Sequence, residues 1–185
     1  MKPLGSQRLP FFVKQKPFPT MKRLQTLLSV IAILLLAACA TTNDGLTKAE
    51  RRALTAKKVE SLLATRRYTV EMDYMQPLRG SMRRIDYGYE VTIAGDTLKS
   101  YLPYFGRAYN IPYGGGKGLN FTALITAYQE QRVGANRSRV VVFTENEEDN
   151  YQYVFDIYDN GKADLEVFSR ERDRISYMGS LKLND

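Results

Sequence analysis

The chain has 185 residues, enough for one ordinary domain and a leader but not for two large domains. It contains no histidine and a single cysteine, Cys39. That composition excludes a Ser-His-Asp triad, imidazole metal ligands, internal disulfides and cysteine-type zinc sites. The formal charge of +7 invites a nucleic-acid reading. However, Lys2, Arg8, Lys14, Lys16, Lys22 and Arg23 all precede Cys39, with no acidic residue among them, so 21 basic residues face 20 acidic ones from Cys39 onward. The remaining charges are interspersed, and a phosphate-neutralising surface needs them clustered. Nucleic acid is not an expected partner.

Met21, Lys22 and Arg23 form a basic start to an apolar run over 27–38 that only Ser29 interrupts. Such a run rises about 18 Å as a helix, against a hydrocarbon core of roughly 30 Å, so it reads as a signal-peptide core and not as a membrane span. It ends Leu36-Ala37-Ala38-Cys39, which resembles the bacterial lipobox. A branched apolar residue and two small ones suit a peptidase that cuts before a lipid-modified thiol. Cys39 is therefore the expected lipid anchor, and the membrane, reached through that lipid, the expected partner. Pro3, Pro10, Pro17 and Pro19 break any helix upstream, and initiation at Met21 brings the leader to normal length. Residues 1–20 accordingly read as a gene-call extension, 21–38 as a lipoprotein signal peptide, 39–46 as a tether and 47–185 as a single globular domain.

The tether reaches roughly 20 Å at about 3.5 Å per residue, which holds the domain near the bilayer. Thr47 with Glu50 forms a capping-box pattern opening a helix through about Thr65. Ala49, Ala53, Ala56, Val59 and Leu63 make its apolar stripe. Packing on a sheet is favoured over a membrane-surface helix, because Glu50 and Glu60 dilute a basic face carrying Arg51, Lys57 and Lys58.

The period then changes to two. Tyr68, Val70, Met72 and Tyr74 alternate with polar residues, as do Ile85, Tyr87, Tyr89, Val91 and Ile93. Gly95-Asp96 turns into 97–102, and further strands are predicted over 139–144, 151–157, 163–167 and 175–183. Asn160-Gly161 is a hairpin signal. Residues 121–133 fit a strand or a short helix, and a strand is preferred. The predicted fold is α+β, mainly β: one N-terminal helix packed on a curved antiparallel meander of seven or eight strands, as a sandwich or open barrel. Thirteen tyrosines and eight phenylalanines suit such a sheet. The hydroxyls need partners, which places several tyrosines near its edges.

Three motifs tempt and fail. Residues 114–118 (Gly-Gly-Gly-Lys-Gly) are not a phosphate loop, since Ile111 stands where the first glycine belongs and Gly118 where Ser or Thr should follow the lysine. Residues 156–161 are not a calcium loop, since Tyr158 and Val167 occupy ligand positions. Glu145, Glu147, Glu148 and Asp149 read as a solvated acidic turn. Asp156, Asp164 and Glu166 on one predicted hairpin are the carboxylates a glycan hydrolase would need, but nothing sets them apart from ordinary outward-facing residues. No metal and no cofactor is expected.

Residues 101–109, Tyr-Leu-Pro-Tyr-Phe-Gly-Arg-Ala-Tyr, follow neither period. An aromatic loop with one arginine either caps the sheet or lines a pocket for a flat or sugar-like ligand. Tyr101, Tyr104, Phe105, Arg107, Tyr109 and the following Tyr113 are therefore the candidate binding residues. Together with the lipobox, Gly95-Asp96, the Pro112 to Gly116 loop, the Asp159-Asn160-Gly161 hairpin and Ile175-Ser176-Tyr177 with Gly179, this motif resembles a family of Bacteroidetes lipoproteins carrying domain of unknown function 4251. The resemblance covers 47–183 and implies an envelope lipoprotein of a Gram-negative bacterium with no assigned activity. Ala40, in place of an aspartate after the anchor, favours the outer membrane facing the periplasm.

The expected role is non-enzymatic binding of a small ligand or an envelope protein. A structural accessory of an envelope complex is the alternative, and a carboxylate-based glycan hydrolase the third reading.

Overall fold

The computed structural model describes residues 45–110 and 117–183. Cys39, the leader and Tyr113 lie outside them. Helix α1 (Lys48–Thr65) opens on the predicted capping box: the Glu50 N–H donates to Thr47 Oγ1 at 3.2 Å, and the Thr47 N–H donates to Glu50 Oε2 at 2.6 Å. It ends at Arg66 in the left-handed conformation (φ 50°), whose N–H closes on the Leu63 carbonyl. Only Val59 and Leu63 of the expected stripe are buried, each contributing about 1.5–3 kcal/mol. Ala49 and Ala53 are exposed, so the sheet covers the C-terminal half of the helix and leaves the first turns bare.

Nine strands follow: β1 (Arg67–Pro77), β2 (Arg83–Arg84), β3 (Glu90–Ala94), β4 (Thr97–Leu102), β5 (Leu119–Val133), β6 (Arg137–Glu145), β7 (Asn150–Tyr158), β8 (Lys162–Ser169) and β9 (Ile175–Leu181). All pairings are antiparallel in the order β2-β1-β3-β4-β5-β6-β7-β8-β9, and β1 also pairs with β9. The meander thus closes into an eight-stranded barrel of β1 and β3–β9, with the two-residue β2 added beside β1. The α+β, mainly β class is as expected, but the barrel is closed where a sandwich or an open barrel was expected, and closure removes the free edges of the eight strands. The ambiguous stretch 121–133 is strand β5, which pairs with β4 along its first half and with β6 along its second.

Two details of the strands depart from the simple alternation. A bulge at Asp73 shifts the β1–β9 register. Tyr68, Val70 and Met72 point inward as expected, but beyond the bulge the phase flips, so that Met75 is buried and Tyr74 is exposed. The predicted run 85–93 is also broken, because the chain turns between β2 and β3 with Gly88 at φ 93°. Ile85 and Tyr89 instead bracket the bulge, through bonds from the Ile85 N–H to the Asp73 carbonyl and from the Met72 N–H to the Tyr89 carbonyl, both 2.9 Å.

The interior is filled by side chains, as an eight-stranded barrel allows. Val91, Leu98, Val140, Val142, Phe155, Ile157 and Leu165 are fully buried. Tyr153 is buried too, and its hydroxyl donates to Ser100 Oγ at 3.0 Å, which donates in turn to the Leu119 carbonyl at 2.7 Å. At the β1–β9 seam a Cβ on Gly179 would run into the Glu71 carbonyl, so only glycine lets the two backbones meet there.

Antiparallel pairing sorts the connections. Those after β1, β4, β6 and β8 gather at one end, and the β3–β4, β5–β6 and β7–β8 turns gather at the other, where α1 feeds β1. The aromatic segment therefore lies at the end of the barrel opposite the helix.

Candidate functional site

Residues 103–109 are stitched to the β8–β9 connection. The Tyr177 hydroxyl donates to the Pro103 carbonyl at 2.6 Å, and the Tyr104 hydroxyl lies 2.8 Å from the Arg107 carbonyl and 3.0 Å from that of Asp173. Ala108 bridges Arg172, the Tyr109 N–H donates to the Glu171 carbonyl at 2.8 Å, and the Asp173 N–H donates to the Arg107 carbonyl at 3.0 Å. Gly106 is required because a Cβ there would strike the Tyr104 ring and hydroxyl. Burial, aided by the Asp173 charge, pushes the Tyr104 hydroxyl up to about 12. Tyr104 is thus a staple of the loop.

Tyr109 is 68% exposed, and its hydroxyl donates to Asp173 Oδ1 at 2.7 Å. That bond holds the Asp173 carboxyl below the usual range, with the Arg107 N–H and the Arg79 and Arg107 charges adding to it.

The other candidates face solvent. Phe105 is 57% exposed with the Arg83 guanidinium 4.5 Å from its ring centre. Tyr101 stacks on Tyr89 with ring centres 5.3 Å apart. Arg107 is exposed. Tyr113 lies outside the described residues.

The segment between β1 and β3, which the period-two reading passed over as a strand, supplies the rest of this rim. Tyr87 is 84% exposed and receives a hydrogen bond from Arg84 at 3.3 Å, while Leu78 and Met82 are also exposed. Arg79, Arg83, Arg84 and Arg107 make no ion pair among the described residues. The signal was present in the run Arg79-Gly80-Ser81-Met82-Arg83-Arg84, which holds three arginines and no acid.

Beneath the rim lies a buried polar platform. The expected solvated acidic turn holds for Glu145 and Glu147, which are exposed, and is corrected for the other two: Asp149 is buried and accepts from Ser169 Oγ at 2.6 Å and from the Arg170 and Glu171 N–H groups, each at 3.1 Å. Glu148 pairs with Arg172 at 3.2 Å and accepts the Lys117 N–H at 2.9 Å. Arg172 also lies 5.6 Å from the Tyr104 ring centre. These carboxylates tie the β4–β5, β6–β7 and β8–β9 connections together, because satisfying several backbone N–H groups offsets the cost of taking a charge out of water.

The carboxylates of the hydrolase reading are placed on the outer face. Asp156 faces Asp164 across β7 and β8. Asp156 accepts from Arg139 Nε and Nη2 at 2.9 and 2.8 Å and from Arg137 at 3.3 Å, Asp164 accepts the Tyr158 hydroxyl at 3.2 Å, and Glu166 pairs with Arg174 at 3.6 Å. Asp156 and Glu166 are thus held in ion pairs and Asp164 by a tyrosine hydroxyl, all on the part-buried outward positions of β7 and β8. The 156–161 stretch is the β7–β8 hairpin, with Gly161 at φ 83° and Asn160 Oδ1 accepting the Lys162 N–H. Among the described residues no three carboxylate, histidine or cysteine groups converge as metal ligands, and no helix is long and apolar enough to cross a membrane.

Comparison with proteins of described function finds no match. A solved structure, that of a DUF4251 family protein from Bacteroides eggerthii, is similar, with a TM-score of 0.53 over 70% of this chain and 87% of that one. At 12% identity the likeness concerns the fold alone. The family model for the domain of unknown function DUF4251 matches residues 50–181, helix and barrel together, and the chain belongs to that family.

Proposed function

We propose that the chain is a non-enzymatic lipoprotein of the bacterial envelope, held by a lipid on Cys39 in the outer membrane and facing the periplasm. Its barrel binds a ligand or protein partner at the loop end. One observation carries this reading. Arg83 and Arg84, neither in an ion pair among the described residues, lie against the exposed rings of Phe105 and Tyr87, while Arg79 and Arg107 act on Asp173 at the same end. Exposed aromatic rings gathered with arginines suit a contact surface, because aromatic and arginine side chains dominate the energy of such contacts.

The rim is also stiff. The Tyr104 staple and the Asp149 platform fix the loop backbone before any ligand arrives, which lowers the ordering cost of binding. Carbohydrate rings or a peptide with an acidic group fit this chemistry.

Purification of the tagged chain from intact envelopes tests the proposal. The wild type should bring down a partner or ligand that the Phe105→Ala/Arg83→Ala chain does not, with unchanged melting temperature. Equal recovery by both chains counts against it.

A further inference from the structure

The opposite end of the barrel carries a second, separate surface. Residues 48–54 of α1 are exposed without exception. Lys48, Arg51, Arg52 and Lys57 make no ion pair among the described residues. The two acids that diluted this face in the sequence are otherwise engaged. Glu50 is folded back onto the Thr47 N–H, and Glu60 lies close enough to Arg132 for its charge to act on that guanidinium.

Between the bare half of α1 and the β5–β6 and β7–β8 turns runs an open groove of about 630 Å³, lined by Lys48, Arg51, Arg52, Thr55, Asn136 and Asn160 among others. The carboxylate in its wall, Asp159, is already bound by both Nη atoms of Arg132, at 2.7 and 2.6 Å. The groove is therefore cationic. Leu46 and Leu54, both about half exposed, flank Lys48, Arg51 and Arg52 in the sequence.

We infer that this end docks on an anionic phospholipid surface, with a headgroup phosphate seated between Lys48, Arg51 and Arg52 and with Leu54 against the acyl boundary. Thr47 follows Cys39 by eight residues, which span at most about 28 Å. The described domain thus joins the chain segment that bears that cysteine at its basic face, through the start of α1. A basic patch beside a lipid anchor adds headgroup attraction to the burial of the acyl chains and fixes how the domain faces the bilayer. The docking also orients the barrel, turning the aromatic–arginine rim away from the bilayer. The inference goes beyond the rim reading, and of the proposed function it rests only on the lipid at Cys39.

Residues 46–185 form a compact unit containing the whole barrel and its core, so lipid binding is testable without the anchor. Co-sedimentation with vesicles of equal phosphatidylglycerol and phosphatidylcholine should retain this fragment, and pure phosphatidylcholine vesicles should not. Each basic residue near an anionic surface changes partitioning roughly fivefold. Lys48→Glu/Arg51→Glu/Arg52→Glu should therefore weaken binding on the order of 100-fold or more, while Arg79→Glu/Arg83→Glu/Arg84→Glu at the rim, with the same charge change, alters it less than about fivefold. The corresponding triple glutamine variant serves if the first fails to fold. Failure of the wild type to bind anionic vesicles overturns the inference, and so does an equal loss in the rim variant, which would mark a net-charge effect. Saturable binding of inorganic phosphate with no vesicle binding assigns the groove to a soluble anion and also overturns it.

Discussion

The hydroxyl of Tyr104 reaches the carbonyl oxygen of Asp173 at 3.0 Å across 69 residues of sequence, and the same hydroxyl lies 2.8 Å from the Arg107 carbonyl. This contact divides the aromatic segment into a half that holds the loop and a half that faces water. Tyr104→Phe removes the one hydroxyl proton that the Asp173 and Arg107 carbonyls share in a half-buried site, and should cost about 1–2 kcal/mol. Phe105→Ala, at an exposed ring, should change stability by about 0.5 kcal/mol or less. Urea unfolding of the two variants checks the division, and equal losses would erase it.

Gly179→Ala should be among the most damaging single changes. The added methyl meets the Glu71 carbonyl at the seam where β9 closes on β1. Relief requires the two strands to part, at about 3 kcal/mol. Thermal unfolding measures it, and a near-wild-type melting temperature would mean the seam is looser than described.

The Glu148–Arg172 pair predicts a non-additive cycle. Arg172→Met leaves a half-satisfied carboxylate at a site 14% exposed, and Glu148→Gln leaves a guanidinium at one 7% exposed. Each single change should cost about 3–5 kcal/mol, and the double variant clearly less than their sum. Additive losses would show that the two charges do not depend on one another.

Four tyrosine hydroxyls set an alkaline limit. Burial raises the pKa of Tyr68, Tyr153 and Tyr177, and brings Tyr104 up to about 12. A pKa raised on folding contributes stability that is complete below the unfolded value near 10 and is lost as pH rises through the folded value. Unfolding should therefore set in above pH 10, together with delayed tyrosinate absorbance. Early, complete ionisation with the barrel intact would contradict it.

Much of this was legible locally. The capping box needs only Thr47 and Glu50, and the strands need only alternation, so α1 and most of the barrel could be read from neighbours in the chain. Tyr74 was assigned the wrong face because a bulge is settled by the partner strands, and nothing around Asp73 signals it. Glu148 and Asp149 read as solvated because Arg172 and Ser169, which bury them, lie 20 or more residues away. Among the rim residues, Phe105 and Arg107 stood out as a motif. Arg83 and Tyr87 did not, because a broken strand and a regular one share the same alternation until Gly88 turns the chain.

The most direct test of the central claim is photo-crosslinking in intact cells from a reactive residue placed at Phe105. Leu124, exposed on the barrel wall, serves as the control position. A discrete adduct from position 105 that is absent from position 124, and that disappears when Arg83 and Arg107 are replaced by alanine, is the predicted result. No adduct at 105, or the same adducts from both positions, would contradict a binding surface at the aromatic–arginine rim.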